Sequence, residues 1–311
     1  MDPNVLPKDF VKTFIRHVNM IKFIGINIFV DKNKNFLAQH GRLMLFSCFV
    51  IPMLIGQILY LFRKDRTGAS FLEVVNAIPS TFMVLQDFVK MFVAASKRDQ
   101  IRQVIFEVGE VWPRDLKGDN EVTLKDWIHR LRLYDNGTAT HMCIYISCDF
   151  VLVALTFDVS ALLTLLQNDL RNIAHNTDRD ESCEDIRSIV VTHQKLLRLA
   201  LNDHLFQFIF TQVSFSSVVI CCFGFLSIDN GLPVARNLTA ALGIMFAIFI
   251  LAYPGQLLAD TSSGVASAAY ECLWYNRSVK FQKYIAIILV LSTSWSYLSL
   301  LNQMYQDMDL D

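Results

Sequence analysis

The chain is short of charge. Only 18% of its 311 residues are Asp, Glu, Lys or Arg, where a soluble domain carries about 25%. The shortage is concentrated in four runs: Leu43–Phe62, Leu205–Ile228, Asn237–Ala259 and Tyr284–Gln306 hold no charged residue. Four such runs in one short chain argue against a soluble protein with buried helices. There is no excess of basic residues either; the net charge is −1, which gives no case for nucleic-acid binding. The seven cysteines lack the spacing of a metal site or a disulfide framework. Cys48, Cys143, Cys148, Cys221 and Cys222 fall in apolar stretches, where thiols pack as small hydrophobes. No nucleophile–base constellation, metal-ligand cluster or phosphate-binding loop stands out, so neither an enzyme nor a cofactor is expected. The short basic start of a secretory signal peptide is missing too: the first long apolar run begins near residue 43, after a charged stretch.

What the chain does have is hydrocarbon. Hydrophobic residues make up 53% of it, and the mean hydropathy is +0.36. Each uncharged run reaches the ~20 residues that a helix needs to cross a ~30 Å hydrocarbon core. Two further stretches are apolar enough to span against protein neighbours. Val74–Ala95 holds Asp87 and Lys90, three apart on one helical face, and Met142–Leu166 holds Asp149 and Asp158. An open sheet cannot satisfy its backbone in lipid, so the spans are helices. The fold class is therefore all-α, a polytopic helical membrane protein with six visible spans. Asp87, Asp149 and Asp158 read either as an ion relay or as acids satisfied inside the bundle. Near the N-terminus, Val11, Phe14, Ile15, Val18 and Ile21 recur at helical spacing. That pattern predicts an amphipathic helix, lying on the cytoplasmic membrane surface or packed on the bundle.

Lys and Arg counts set the topology. Seven precede the first span, so that end is expected in the cytoplasm. Eight lie in 97–132 and five in 169–204, and both segments want the cytoplasm. Only Met142–Leu166 lies between them, and one span cannot return the chain to the side it left. Asn136, in the sequon Asn136-Gly137-Thr138 just before that span, is a glycosylation candidate that suits the outside. A further span between Arg132 and Asn136, missing from this chain, removes the contradiction. Restoring it gives seven spans, a cytoplasmic N-terminus and an external C-terminus.

The C-terminal third carries a resemblance. A small-residue helix from Ser263 leads to Tyr270, Trp274 and Tyr275, and the last span ends on Trp295, Ser296, Tyr297 and Gln303. Together with Gln86–Lys90, Phe157–Asp158, Leu166–Ile173 and His193–Arg198, in that order, this resembles the insect odorant receptor family. Members of that family are subunits of heteromeric ligand-gated cation channels. The inverted seven-helix arrangement is the family's layout, and a G-protein-coupled receptor is disfavoured by the cytoplasmic N-terminus. Against the family pattern this chain looks shortened: the third span and second external loop are absent near Tyr134–Asn136, and the C-terminal helix pair is contracted.

The resemblance implies four segments: a cytoplasmic amphipathic segment over 1–42, a transmembrane bundle over 43–259, a cytoplasmic anchor over 260–283, and a pore-helix-like span with a short tail over 284–311. It implies an odorant-binding subunit in the plasma membrane of olfactory sensory neurons, with volatile odorants, membrane lipids and a shared co-receptor subunit as partners. Ser296, Leu300 and Gln303 match its pore-lining face, where an apolar ring closes by dewetting and a neighbouring amide hydrates the ion. Ile78, Phe82, Ser147, Val151 and Ala154 are the expected odorant-pocket wall. Tyr270, Trp274 and Tyr275 are the expected subunit anchor, although aromatics at this depth also form ordinary interfacial belts. Three alternatives stay open: a gustatory-receptor-like channel, a membrane transporter, and a shortened receptor without function. A transporter is expected to show internal inverted repeats, and none is visible.

Overall fold

The computed structural model describes residues 6–24, 26–29, 36–62, 71–114, 118–139, 147–175, 181–200, 203–228 and 234–292. Among them every regular element is helical. In chain order these are α1 (Lys8–Ile24), α2 (Phe36–Phe62), α3 (Phe71–Ser96), α4 (Arg98–Val111), α5 (Asp119–Ala139), α6 (Ser147–His175), α7 (Glu181–Ala200), α8 (Asp203–Ile228) and α9 (Val234–Glu271). A 3₁₀ turn, Trp274–Asn276, and a helix α10 over 279–292 follow.

Four helical stretches are long and apolar enough to cross a membrane: Ala77–Ser96, Val151–Ile173, Ile209–Ser227 and Val234–Asn276. Val50–Tyr60 in α2 is a shorter apolar stretch. Val151–Ile173 is mostly buried in protein, whereas Ile209–Ser227 and Val234–Asn276 leave most of their apolar side chains uncovered. A soluble protein rarely exposes so much contiguous hydrocarbon, and lipid is the solvent that suits it. The chain is an all-α, multi-pass membrane protein. The expected span Tyr284–Gln306 is described only as far as residue 292, where it is helical.

The chain divides into two compact units. The first comprises Met1–Phe106, Tyr134–Ala154 and Asn202–Pro254. Its backbone is α3, which packs along α8 and, less extensively, along α2; α1 rests on α2. The amphipathic face of α1 is buried in protein: Phe10, Phe14 and Val18 are all covered. The rings of Phe10 and Phe14 stand 4.8 Å apart, and Phe29 links Phe14 to Phe106 at 6.4 and 6.0 Å. Of the two expected settings for this helix, the structure shows the one packed on protein, with Phe10 added to the face and Ile15 turned outward.

Prolines lie inside three of the helices: Pro52 in α2, Pro79 in α3 and Pro254 in α9. A proline lacks the N–H that would bond the carbonyl four residues back, and in lipid that carbonyl needs another donor. For Pro254 the carbonyl is that of Ile250. The Tyr134 hydroxyl, on α5, donates to it, and the Tyr134 ring stacks on Tyr253 at 5.9 Å. Beside Pro79, the hydroxyls of Ser80 and Thr81 both donate to the Ala77 carbonyl at 2.9 Å.

The second unit comprises Glu107–Leu133, Leu155–Leu201 and Gly255–Asp311. Here α6 lies against the latter part of α9, across small residues spaced four apart, Gly264 and Ala268 on the helix and Cys272 just past its end. Small side chains let helix backbones approach, which is how membrane helices associate without a hydrophobic drive. A Cβ placed on Gly264 would lie 2.7 Å from Gln167 Nε2, so the Gln167 amide occupies the space that glycine leaves. That amide donates to the Thr261 carbonyl at 2.7 Å. The Cys272 thiol donates to the Leu170 carbonyl at 2.9 Å, and Arg277 to that of Ile173 at 3.2 Å. The boundary expected between bundle and anchor at 259/260 falls inside α9, which continues unbroken to Glu271.

Candidate functional site

The site begins with two pairs of polar residues in otherwise apolar helices. Gln86 and Lys90 lie four apart on α3, and Gln212 and Ser216 lie four apart on α8, so each pair projects from one helical face. Packing α3 along α8 brings the faces together. Gln86 Nε2 donates to Gln212 Oε1, and all four residues are buried. An amide in hydrocarbon is costly unless it is hydrogen-bonded, and the mutual bond offsets that cost. Next to this pair, Phe82 of α3 meets Phe215 of α8 with ring centroids 6.0 Å apart.

A cavity of about 650 Å³ opens beside the amide pair, between α3, α8 and α9. Its size lies within the range of about 300–1,000 Å³ typical of small-molecule sites. The four polar residues line it, with Val219 and Phe223 of α8 and Leu242 and Phe246 of α9 forming its apolar wall. Leu242 and Phe246 are 56% and 48% exposed, so the wall on the α9 side faces outward, towards lipid. Gly243 also lines the cavity, and a Cβ there would meet no atom within 4 Å.

The residues expected at sites are distributed as follows. Ile78 and Phe82 are half-buried on α3, and Val151 and Ala154 are fully buried on α6. Ser147 is the first residue of α6, and its side chain lies outside the described residues. None of these five lines the 650 Å³ cavity, although Met83, next to Phe82, does. Tyr270 and Tyr275 are 68% and 59% exposed, and Trp274 meets Tyr275 edge-on at 6.2 Å. That pair sits on the 3₁₀ turn after α9, entered through Leu273 in the left-handed region at φ 48°. Ser296, Leu300 and Gln303 lie outside the described residues. Asn136 lies near the end of α5, on helical backbone rather than in a loop, and its side chain is outside the described residues.

Asp158 is buried and is not without a partner. His193 on α7 is 0% exposed, and neither ring nitrogen has a hydrogen-bond partner among the described residues. Burial pushes it from its usual 6.5 down to about 4, so its imidazole is neutral at pH 7. Among the described residues no group of three or more His, Cys, Asp or Glu is placed to hold a metal ion. Gln212 and Ser216 were not expected as site residues. Their signal was a polar pair four apart in an uncharged run, facing the Gln86–Lys90 pair.

Residues 127–308 match the family model described as 7tm Odorant receptor. Odorant receptor 85b of Drosophila melanogaster is 28% identical over 158 residues, 49% of this chain and 40% of that protein. Odorant receptor 49a of the same species is 26% identical over 148 residues, 45% of this chain and 37% of that protein. Each match thus spans less than half of the relative's length. Putative odorant receptor 85d, also from Drosophila melanogaster, aligns at 21% identity over 357 positions, 89% of this chain and 84% of that protein. That alignment is longer than the 311 residues of this chain, so the relative carries segments that this chain lacks. With the family match running over more than half of its length and its helices suited to lipid, the chain belongs to the insect odorant receptor family.

Proposed function

We infer that the chain is a ligand-binding subunit of a heteromeric odorant-gated cation channel in the plasma membrane of olfactory sensory neurons. The observation that carries this reading is the family match over 127–308, which takes in both the small-residue helix α9 and the terminal span. The ligand is a volatile organic molecule held mostly by apolar burial, worth about 25 cal/mol per Å² before the costs of binding. Ile78, Phe82, Ser147, Val151 and Ala154 are the proposed pocket wall, all within the first unit. Leu300 is the proposed hydrophobic gate, with Ser296 and Gln303 on the neighbouring pore face. Tyr270, Trp274 and Tyr275 meet the co-receptor subunit; Tyr270 and Tyr275 are exposed, and aromatic side chains are the residue types that anchor interfaces.

Two-electrode voltage clamp in oocytes tests the reading. The chain is expressed with and without the insect co-receptor and challenged with a panel of volatile odorants. An evoked current that needs both subunits is the expected result. Surface expression without evoked current, beside normal co-receptor current, overturns it. Replacing Trp274 and Tyr275 by Ala is expected to abolish co-purification with the co-receptor, and unchanged assembly refutes the anchor assignment.

A further inference from the structure

Between Glu271 and Asp307 the chain holds no acidic residue, yet Arg277, Lys280 and Lys283 cluster near the start of that stretch. Lys280 and Lys283 are exposed, and neither has an ion-pair partner among the described residues. Ser278 stands between these cations and is itself exposed. The backbone leading into it is extended, with Arg277 at φ −102° and ψ 176°. Ser217, Ser227 and Ser263, by contrast, lie on helical backbone. The segment is also well fixed. Arg277 donates to the Ile173 carbonyl of α6 at 3.2 Å and lies 5.9 Å over the Phe281 ring. Gln282 donates to the Tyr275 and Arg277 carbonyls at 3.3 and 3.2 Å, and the Ser278 hydroxyl oxygen accepts from the Phe281 N–H at 3.3 Å. Its neighbours along the chain are apolar and exposed: Leu273, Tyr275 and Val279.

We propose that Ser278 is a phosphorylation site for a kinase that recognises basic segments, and that its phosphate blocks assembly at the neighbouring aromatic anchor. A kinase grips its acceptor in an extended segment, which Arg277 provides, and the flanking cations give it charge to read. The co-substrate is a nucleoside triphosphate. The Ser278 Oγ forms a bond to the γ-phosphorus while the bond from that phosphorus to the β,γ-bridging oxygen breaks. The diphosphate leaves with that electron pair, and the kinase's base takes the hydroxyl proton. The phosphoserine carries about −1.5 to −2 charge at pH 7. In water, Arg277, Lys280 and Lys283 offset that charge. Against a partner's apolar surface the phosphate must be desolvated, and in a hydrophobic interface it disrupts contact. The kinase therefore acts on the unassembled chain and keeps it unassembled. It meets Ser278 in the cytoplasm, the side that three cations in a short loop select. The effect on assembly rests on the anchor reading of Tyr270, Trp274 and Tyr275 above; the modification rests on Ser278 and its setting.

The test has two arms. In the first, the purified full-length chain in phosphatidylcholine nanodiscs is incubated with ATP and the catalytic fragment of protein kinase C, and phosphate is mapped by mass spectrometry of its peptides. Phosphate is expected on Ser278. Ser278→Asn keeps a good helix cap but has no hydroxyl, and is expected to lose the label from that peptide. Lys280→Gln with Lys283→Gln removes two cations that pair with nothing described, and is expected to lose most of the label. Phosphate at other residues only, or labelling indifferent to both lysines, overturns the site. In the second arm, insect cells express the chain with the co-receptor in the presence of a phosphatase inhibitor. Ser278 phosphate is expected in the free chain and absent from chain captured through a tag on the co-receptor. Ser278→Asn should be captured as well as the native chain, and Ser278→Asp, which also caps the helix, should be captured less. Equal phosphate in the two pools, or equal capture of the Asn and Asp variants, overturns the effect on assembly; no phosphate in either pool overturns the site in the cell. A native chain that is never captured sinks the anchor reading, whereas phosphate mapped to Ser278 in nanodiscs still upholds the modification.

Discussion

The bond between Tyr134 and the carbonyl that Pro254 leaves free in α9 can be measured by removing one oxygen atom. Pro254 has no N–H, so no helix donor reaches the Ile250 carbonyl, and the Tyr134 hydroxyl supplies the missing hydrogen. Tyr134→Phe keeps the ring stacked on Tyr253 and deletes only that donor. Ile250 is buried, so its carbonyl finds no replacement. Stranding a buried acceptor costs about 1–3 kcal/mol. Side-chain hydrogen bonds measured within membranes are worth less, about 0.6 kcal/mol on average and about 1.7 at most. We therefore expect Tyr134→Phe to destabilise by about 1 kcal/mol, roughly a fivefold change in the folding equilibrium. Pro254→Ala supplies the control, because the restored N–H reaches Ile250 and makes the hydroxyl dispensable. In that background Tyr134→Phe should cost less than about 0.5 kcal/mol, and the difference is the coupling between the two positions. The assay is thermal unfolding of the four proteins of the cycle in identical nanodiscs, followed by helical circular dichroism. An equal cost in both backgrounds, or none in the native one, refutes the argument that the hydroxyl stands in for the N–H that Pro254 lacks.

Three further outcomes follow from the second unit. His193 is held down to about 4 by burial against an unfolded value of 6.5, so the unfolded chain binds the extra proton between those values. Stability should be complete above pH 6.5 and fall towards pH 4, by on the order of 3 kcal/mol, and melting of His193→Leu should lose that slope. Gly264→Ala pushes the Gln167 amide off Thr261, costing about 1 kcal/mol, and gains about 0.8–1.0 kcal/mol of helix propensity, so its net effect should be small. With Gln167→Ala already in place, the same change should stabilise by about 1 kcal/mol, and denaturation of the four combinations reads the difference. The ion pairs Lys195–Glu110 at 2.9 Å and Arg171–Glu271 at 3.1 Å are well solvated. Glu110→Gln or Glu271→Gln should each cost less than about 1 kcal/mol, and a larger loss in melting experiments shows that the pair is shielded from water.

Much of the architecture was legible because charge is so expensive in lipid. The empty stretches Leu205–Ile228 and Asn237–Ala259 mark α8 and α9, and the small residues after Ser263 mark a close helix contact. The end of α9 was not legible. Asp260 interrupts the apolar run, but a helix leaving the membrane needs no break, and α9 continues to Glu271. The partner of Pro254 was hidden for another reason. A proline announces that a carbonyl is free, but the residue that reaches it, Tyr134, lies 116 positions away in the chain. The cavity was half legible. Gln86 and Lys90 stood out as polar residues in a span, whereas Gln212 and Ser216 acquire meaning only when α8 is laid along α3. Which helix faces meet around a cavity is a matter of tertiary packing, and no single helix records it.

Gly264 and Gln167 bind the history of two positions together. Alanine at 264 is worth little to a chain that carries glutamine at 167, and is favoured in one where that side chain has shortened. Selection thus meets the two substitutions in a preferred order, with 167 changing first and 264 following. Once both have changed, a return to glutamine would find its space occupied. Relatives that carry a side chain at the position of Gly264 should accordingly carry a short residue opposite it, and the pair should travel through the family as one character.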